Sequence, residues 1–220
     1  MSLLARRPAT SRFVLWLVVF VLGLLALLVH ANQARAAQPP DARAQLERFV
    51  ERARSASGRF EQLAGPAGAA SRGVFAFARP GRFRWEVVAP YPQLMIADGT
   101  QVIFYDVDLA QVTIRPMDQA ISATPAALLF GDGDLNEAFE IVLEGEHEGL
   151  QWLRATPRQT EAGFERITIG FADDVPVRMS VLDAFDRTTV FVFSDIEINP
   201  SLPPERFRFE IPDGVDVVRP

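Results

Sequence analysis

Of the side chains able to do acid–base, nucleophilic or metal chemistry this chain has 28 carboxylates but two histidines and no cysteine, and their spacing decides what they could do. Carboxylates recur as Asp173-Asp174 and as Asp183 with Asp186. Two carboxyl groups facing each other across a cleft could hydrolyse a glycosidic bond. Asp173-Asp174, however, stands directly before Val175-Pro176 in a stretch that reads as a plain turn. Histidine occurs only at His30 and His147, the latter in what reads as an acidic loop, EGEHEG, and cysteine is absent. A lone imidazole builds neither a zinc site nor a nucleophilic triad. No glycine-rich loop links a strand to a helix as phosphate binding requires. The residue types therefore predict no catalytic group, no metal and no cofactor.

What remains is the stretch ARPGRFRWE, residues 78–86, where arginines and aromatics interleave around a turn. Such a pattern suits nucleic-acid stacking, a membrane-surface patch, or the rim of a site for an apolar ligand. The N-terminus bears on the choice. Arg6, Arg7 and Arg12 precede an apolar run over 13–29, and Ala34-Arg35-Ala36 offers small residues where a signal peptidase reads. An uncleaved anchor is the alternative, since the run is near the lower limit for a bilayer span. We expect residues 1–36 to be a signal peptide and 37–220 a single exported domain, with Arg6-Arg7 leaving the Sec and twin-arginine routes both open. Cleavage after Ala36 removes four arginines and no acid, taking the formal charge from −6 to −10. So acidic a domain lacks the basic footprint that phosphate binding demands, which excludes nucleic acid as a partner. Without cysteine the chain uses no disulfide and has no N-terminal lipid attachment of the bacterial-lipoprotein kind.

The elements that must position these residues follow from periodicity. Residues 41–57 predict an amphipathic helix with Leu46, Phe49, Val50 and Ala53 on one face and Gly58 as its C-terminal stop. The period then changes to two: Phe75, Phe77 and Arg79 share a face, as do Phe83, Trp85 and Val87. Asp98-Gly99 predicts a hairpin between two short strands, and AQVTIR continues the meander. Thr124 as N-cap, Pro125 in the first turn and Gly131 as stop predict a short helix over 124–131. Further strands are expected at LQWLRAT, FERITIGFA, VPVRMSVLD, RTTVFVFSD and RFRFEI, and GPAGAAS reads as a loop. Roughly ten strands without helical crossovers argue for an antiparallel sheet, and so wide a meander must curl or close. Phenylalanine outnumbers tyrosine 17 to 2. That excess of aromatic surface without a polar handle is one way to line a cavity for acyl chains.

The motifs R-P-x-x-F-x-W, D-G-x-x-x-x-x-Y, Q-V and T-P-x-x-L-L, in that order along residues 77–131, resemble the LolA family of periplasmic lipoprotein carriers. The preceding GRFEQ and the later RMSVLDAFDRTTVFVFSDIEINPSLPPERFRFEIPDGVDVV are similar to its first strand and C-terminal half. The likeness is weakest in GDGDLNEAFEIVLEGEHEG. It implies a mainly β fold: an unclosed, strongly curved antiparallel barrel with a helical lid over an apolar cavity. It implies that Arg79 is the rim arginine that latches the lid, with Phe83 and Trp85 on the strand beside it. Phe75, Phe77, Leu46, Phe49, Leu128 and Leu129 then belong to the cavity or its rim, while Arg82 and Arg84 are left as surface charges. The resemblance further implies a monomeric periplasmic chaperone rather than an enzyme. Its partners would be the acyl chains of lipoproteins, a lipoprotein-releasing ABC transporter of the inner membrane, and the outer-membrane receptor LolB. A carrier of another lipid or glycolipid is the alternative, and an exported glycan or lipid hydrolase a third reading.

The expected processing is directly measurable. Intact mass of the exported protein should correspond to a chain beginning at Ala37, whereas a membrane-retained species keeping residues 13–29 would establish the anchor instead.

Overall fold

The computed structural model describes residues 40–64, 70–117, 129, 135–158 and 163–219. The signal-peptide reading, residues 65–69 of the expected loop and the expected 124–131 helix apart from Leu129 lie outside that set. Helix α1 (Ala42–Arg52) starts where Asp41 accepts a hydrogen bond from the Ala44 N–H at 2.9 Å, satisfying one orphan donor of its first turn. Twelve strands follow: β1 (Ser55–Ala64), β2 (Ala70–Ala78), β3 (Arg82–Ala89), β4 (Gln93–Asp98), β5 (Gln101–Asp106) and β6 (Gln111–Pro116), then, after the short helix α2 (Leu135–Ala138), β7 (Phe139–His147), β8 (Leu150–Pro157), β9 (Phe164–Ala172), β10 (Val175–Asp183), β11 (Thr188–Ile198) and β12 (Asp216–Val218). All lie in one sheet of order β12-β6-β5-β4-β3-β2-β1-β11-β10-β9-β8-β7. The sheet is two meanders fused where β1 pairs with β11, and its edges, β12 and β7, do not meet.

Four expectations about the elements are corrected. Helix α1 ends at Arg52 rather than Ser57, and Gly58 lies inside β1. Serine and glycine are weak helix formers, and pairing of β1 with both β2 and β11 outweighs the continued helical pattern. The stretch holding His147 is strand β7, whose side chains after Ile141 are all exposed and so carry no hydrophobic alternation. RFRFEI forms no strand: Pro204–Phe207 is a 3-10 turn, and the alternation there reports one buried face of a segment lying across the sheet. The sheet is also not wholly antiparallel, because β12 runs parallel to β6.

Glycines set the curvature at the centre. Phe60 on β1 faces Gly73 on β2, and Gly58 faces Phe75, so each ring occupies space vacated by the opposite glycine. A Cβ on Gly73 would stand 2.0 Å from the Glu86 carbonyl oxygen and 2.4 Å from Phe60 Cζ, and one on Gly58 would stand 2.8 Å from the Phe75 ring. Helix α1 packs inside the curve against β7, β8, β9 and β10. There Leu46 and Phe49 join Leu153, Ile167, Ile169 and Phe171 in the main core.

The convex side has its own cover. Phe207 is buried against Ala76 and Ala78, and the 3-10 turn touches β3 and β4, where Ile96 and its cross-strand partner Ile103 are buried. Arg82 lies over the Phe207 ring at 5.8 Å. Arg84 pairs with Glu86 at 2.7 Å and donates to the Arg206 carbonyl at 3.4 Å. These two arginines are thus not plain surface charges; they hold the C-terminal segment to the sheet.

Gly73→Ala tests the origin of the curvature. With a backbone carbonyl and a core ring in the way, it should destabilise by ~3 kcal/mol, the upper part of the overpacking range. Thermal denaturation should show it. A melting temperature equal to the parent's would mean that the ring–glycine exchange does not shape the sheet.

Candidate functional site

Strand alternation turns one set of aromatics to the concave side. Trp85 stacks on Phe60 with centroids 3.8 Å apart and 20° between planes, and meets Phe191 edge-on at 5.5 Å. Phe75 meets Phe193 edge-on at 5.6 Å, and Phe83 lies 6.2 Å from Trp85. Phe77 meets Phe49 of α1 at 6.2 Å. Rings in these tilted and offset arrangements gain more than their buried area alone would give. Of the residues assigned to the cavity from sequence, Leu46, Phe49, Phe75, Phe77, Phe83 and Leu129 are buried and Trp85 is half-buried within this cluster. Leu128 lies outside the described residues.

Leu129, in helical conformation and 1% exposed, sits with Phe49, Ala56, Phe75, Pro176, Phe193 and Ile196 around a narrow pocket. The space left there is about 10 Å³, enough for roughly one water. Sites for small ligands run to about 300–1,000 Å³. The protein's own side chains therefore fill this region, and an acyl chain could enter it only by displacing one of them.

Arg79 stands at the rim, just past the end of β2. Its N–H donates to the Arg54 carbonyl at 2.8 Å, its Nε to the Ala53 carbonyl at 3.1 Å, and its Nη2 to the Leu129 carbonyl at 2.7 Å. The guanidinium lies 5.3 Å from the centroid of the Phe77 ring. One rigid fork thus joins the end of α1, the wall and the segment carrying Leu129, a geometry that lysine's single ammonium would not reproduce. The neighbouring β4–β5 turn adjoins this rim, because Asp98 is in register with Arg82. Partial burial opposes ionisation of Asp98. The Thr100 hydroxyl and the N–H groups of Gln101 and Thr100 outweigh it and hold the carboxyl below its ordinary value. Its contribution to stability is present above the unfolded-state pKa and is lost as pH falls through the lower folded value.

The groups read first for chemistry lie elsewhere. Asp183 binds Arg187 in the β10–β11 turn, and His147 stacks on Trp152 at 4.7 Å. Among the described residues no three histidine, aspartate or glutamate side chains gather as metal ligands would. Sequence reasoning missed Phe60, Phe191 and Phe193. Apolar residues occupy consecutive positions from Val190 to Phe193, so alternation could not say which side chains face inward.

The chain matches the family model described as "Outer membrane lipoprotein carrier protein LolA" over residues 51–210. It is 48% identical over 206 residues to the outer-membrane lipoprotein carrier protein of Bordetella avium strain 197N, covering 92% of this chain and 98% of that one. It is 47% identical over 201 residues to the carrier of the same name from Bordetella pertussis strain Tohama I, covering 88% and 95%. Among solved structures, an uncharacterized conserved protein from Thermus thermophilus shares the fold, with a TM-score of 0.56 and 17% identity over 81% of this chain and 99% of that one.

Leu129→Glu would set a carboxylate among Phe49, Phe75 and Phe193, at a cost of several kcal/mol if it stayed buried. The segment should lift instead. Fluorescence of an apolar-surface dye should then rise several-fold while far-UV circular dichroism keeps its strand signature. Unchanged dye binding would mean that Leu129 does not close the concave face.

Proposed function

The chain belongs to the LolA family of outer membrane lipoprotein carrier proteins, and from that premise we propose that its concave aromatic wall receives the acyl chains of lipoproteins, with Arg79 as the latch that is released on loading. The protein works without catalysis, as a monomer in the periplasm after cleavage at Ala36. It takes cargo from a lipoprotein-releasing ABC transporter of the inner membrane and delivers it to the receptor LolB at the outer membrane.

The observation that supports this reading most is the hydrogen bond from Arg79 Nη2 to the Leu129 carbonyl, made across an apolar region already filled by side chains. Each methylene moved from water into such a region contributes roughly 0.8 kcal/mol. Three long chains would then bind too tightly to leave unless emptying the cavity restored interactions of its own. Resealing the latch does that: hydrogen bonds to a guanidinium contribute ~1.5–3 kcal/mol each. They form only in the empty state and so favour release to a receptor offering a comparable apolar site.

Arg79→Leu removes those bonds and adds apolar surface at the rim. The variant should accept lipoprotein but hand it to LolB about tenfold or more slowly, because ~1.4 kcal/mol is tenfold in the loaded/empty balance. Arg79→Lys should be intermediate. The assay follows a labelled triacylated lipoprotein from carrier to receptor, with mass spectrometry of lipid co-purified from the periplasm alongside. Transfer at the parental rate would reduce Arg79 to a structural tether of the rim with no part in release. Co-purified free lipid or glycolipid without triacylated peptide would assign a different cargo, and turnover of a bound lipid would make the protein an enzyme.

A further inference from the structure

The two elements over the concave face are fastened by chemically different means. Leu129 is held at the rim, where its carbonyl could exchange Arg79 for water. Helix α1 is fastened on the far side, to the turn between β9 and β10. Gln45, only 3% exposed, accepts the Asp174 N–H on Oε1 at 2.9 Å and donates from Nε2 to the Pro40 carbonyl at 2.9 Å. Arg48 and Arg52 place Nη2 and Nη1 at 2.9 and 3.5 Å from the two carboxylate oxygens of the same Asp174. Gln45, Arg48 and Arg52 are spaced i, i+3, i+7, so one stripe of the helix meets one residue. Asp173 and Asp174 both adopt left-handed backbone angles, φ 49° and 66°, which aspartate tolerates better than most residues. That turn aims both the N–H and the carboxylate of Asp174 at the helix. Arg48 Nε and Nη2 are both buried without a hydrogen bond, so the charge of Asp174 beside Nη2 is what compensates this guanidinium.

We infer that Asp174 is a positioning residue that keeps α1 docked as the fixed wall of the cavity while the contact between Leu129 and Arg79 gives way. Lifting α1 would leave a buried amide side chain and a backbone N–H without partners and would separate two ion pairs. Breaking the rim contact at Leu129 exposes its groups to water that can replace the bond. The cavity then enlarges in one direction, and cargo lies between the apolar stripe of α1 (Leu46, Phe49, Val50) and the aromatic wall of β1, β3 and β11. This inference rests on the carrier reading, and the experiment separates the two.

Hydrogen exchange is measured on the mature protein, empty and loaded with a triacylated lipoprotein, for the parent, Asp174→Asn and Gln45→Leu. Asparagine retains the left-handed turn and the backbone bond to Gln45 while removing the charge. In the parent, loading should change exchange in α1 by no more than about twofold and raise it about tenfold or more around Leu129. In both variants loading should also raise exchange in α1 about tenfold. A merely structural contact would weaken the empty and loaded proteins alike, leaving no cargo-dependent change in α1. Should Gln45→Leu fail to fold, Asp174→Asn alone decides. If cargo binds and frees α1 as much as the Leu129 segment in the parent, or if Asp174→Asn responds to cargo as the parent does, the inference is overturned and the carrier reading stands. If no lipoprotein binds, the carrier reading itself falls.

Discussion

Aromatic rings on β1, β2, β3 and β11 face one another across a sheet that does not close, and water must be kept from them whenever no ligand is present. Burial of apolar surface is worth roughly 25 cal/mol per Å², so a wall of this size exposed to solvent would cost a large fraction of a domain's net stability. The protein covers the wall with its own side chains, Leu129 and the stripe of α1 among them. Rim arginine, buried glutamine and the aspartates of the β9–β10 turn all serve that cover. Around Leu129 the residues that the carrier reading assigns to cargo are thus also core residues, so on that reading loading there means unpacking part of the core.

The same sheet needs a different solution on its convex side. Ile96, Ile103, Ala76 and Ala78 would be wet there but for the chain after β11, which crosses the outside, buries Phe207 and finishes as β12 on the edge of β6. Arg82 and Arg84 fix that crossing from outward positions on the strand whose inward positions carry Phe83 and Trp85. The alternation of ARPGRFRWE thus serves two faces at once: aromatics toward the cavity, guanidinium groups toward the C-terminal segment. Arg79, at the turn, serves neither strand face but the rim.

The sequence was most readable where one face of an element is wet and the other dry. The β4–β5 hairpin followed from Asp98-Gly99 and clean alternation, and the inward set Phe75, Phe77, Phe83 and Trp85 lies where period two puts it. It was least readable where neighbours distant in sequence decide the outcome. Ser55–Ala64 is a strand because two partners pair with it, although its first residues continue the helical pattern. Strand β7 carries almost no buried side chain to mark it, and RFRFEI shows alternation without a ladder. Spacing alone would have left Arg79 as a strand-end charge; its assignment came from the resemblance to a known family. The contact of Gln45 with Asp174 joins residues 129 apart, which no local pattern reveals.

The pairing of β1 with β11 also governs how the chain reaches this state. Ala64 lies opposite Thr189 and Ala56 opposite Ile198, so the centre of the sheet waits for a partner near the end of the polypeptide. Closing so long a loop carries an entropic cost that must be met before the contact stabilises anything, and topologies rich in distant pairings fold slowly. During synthesis, β1 through β6 form a half-sheet whose open edge is β1 itself, without the strand that buries its aromatic face. That half lacks the cooperativity of the finished fold and has little tendency to lock into a stable tertiary structure before the end of the chain appears. A polypeptide that ripens only when complete spends its synthesis with its central strand unpaired on one side, and its last strands decide when the fold is reached.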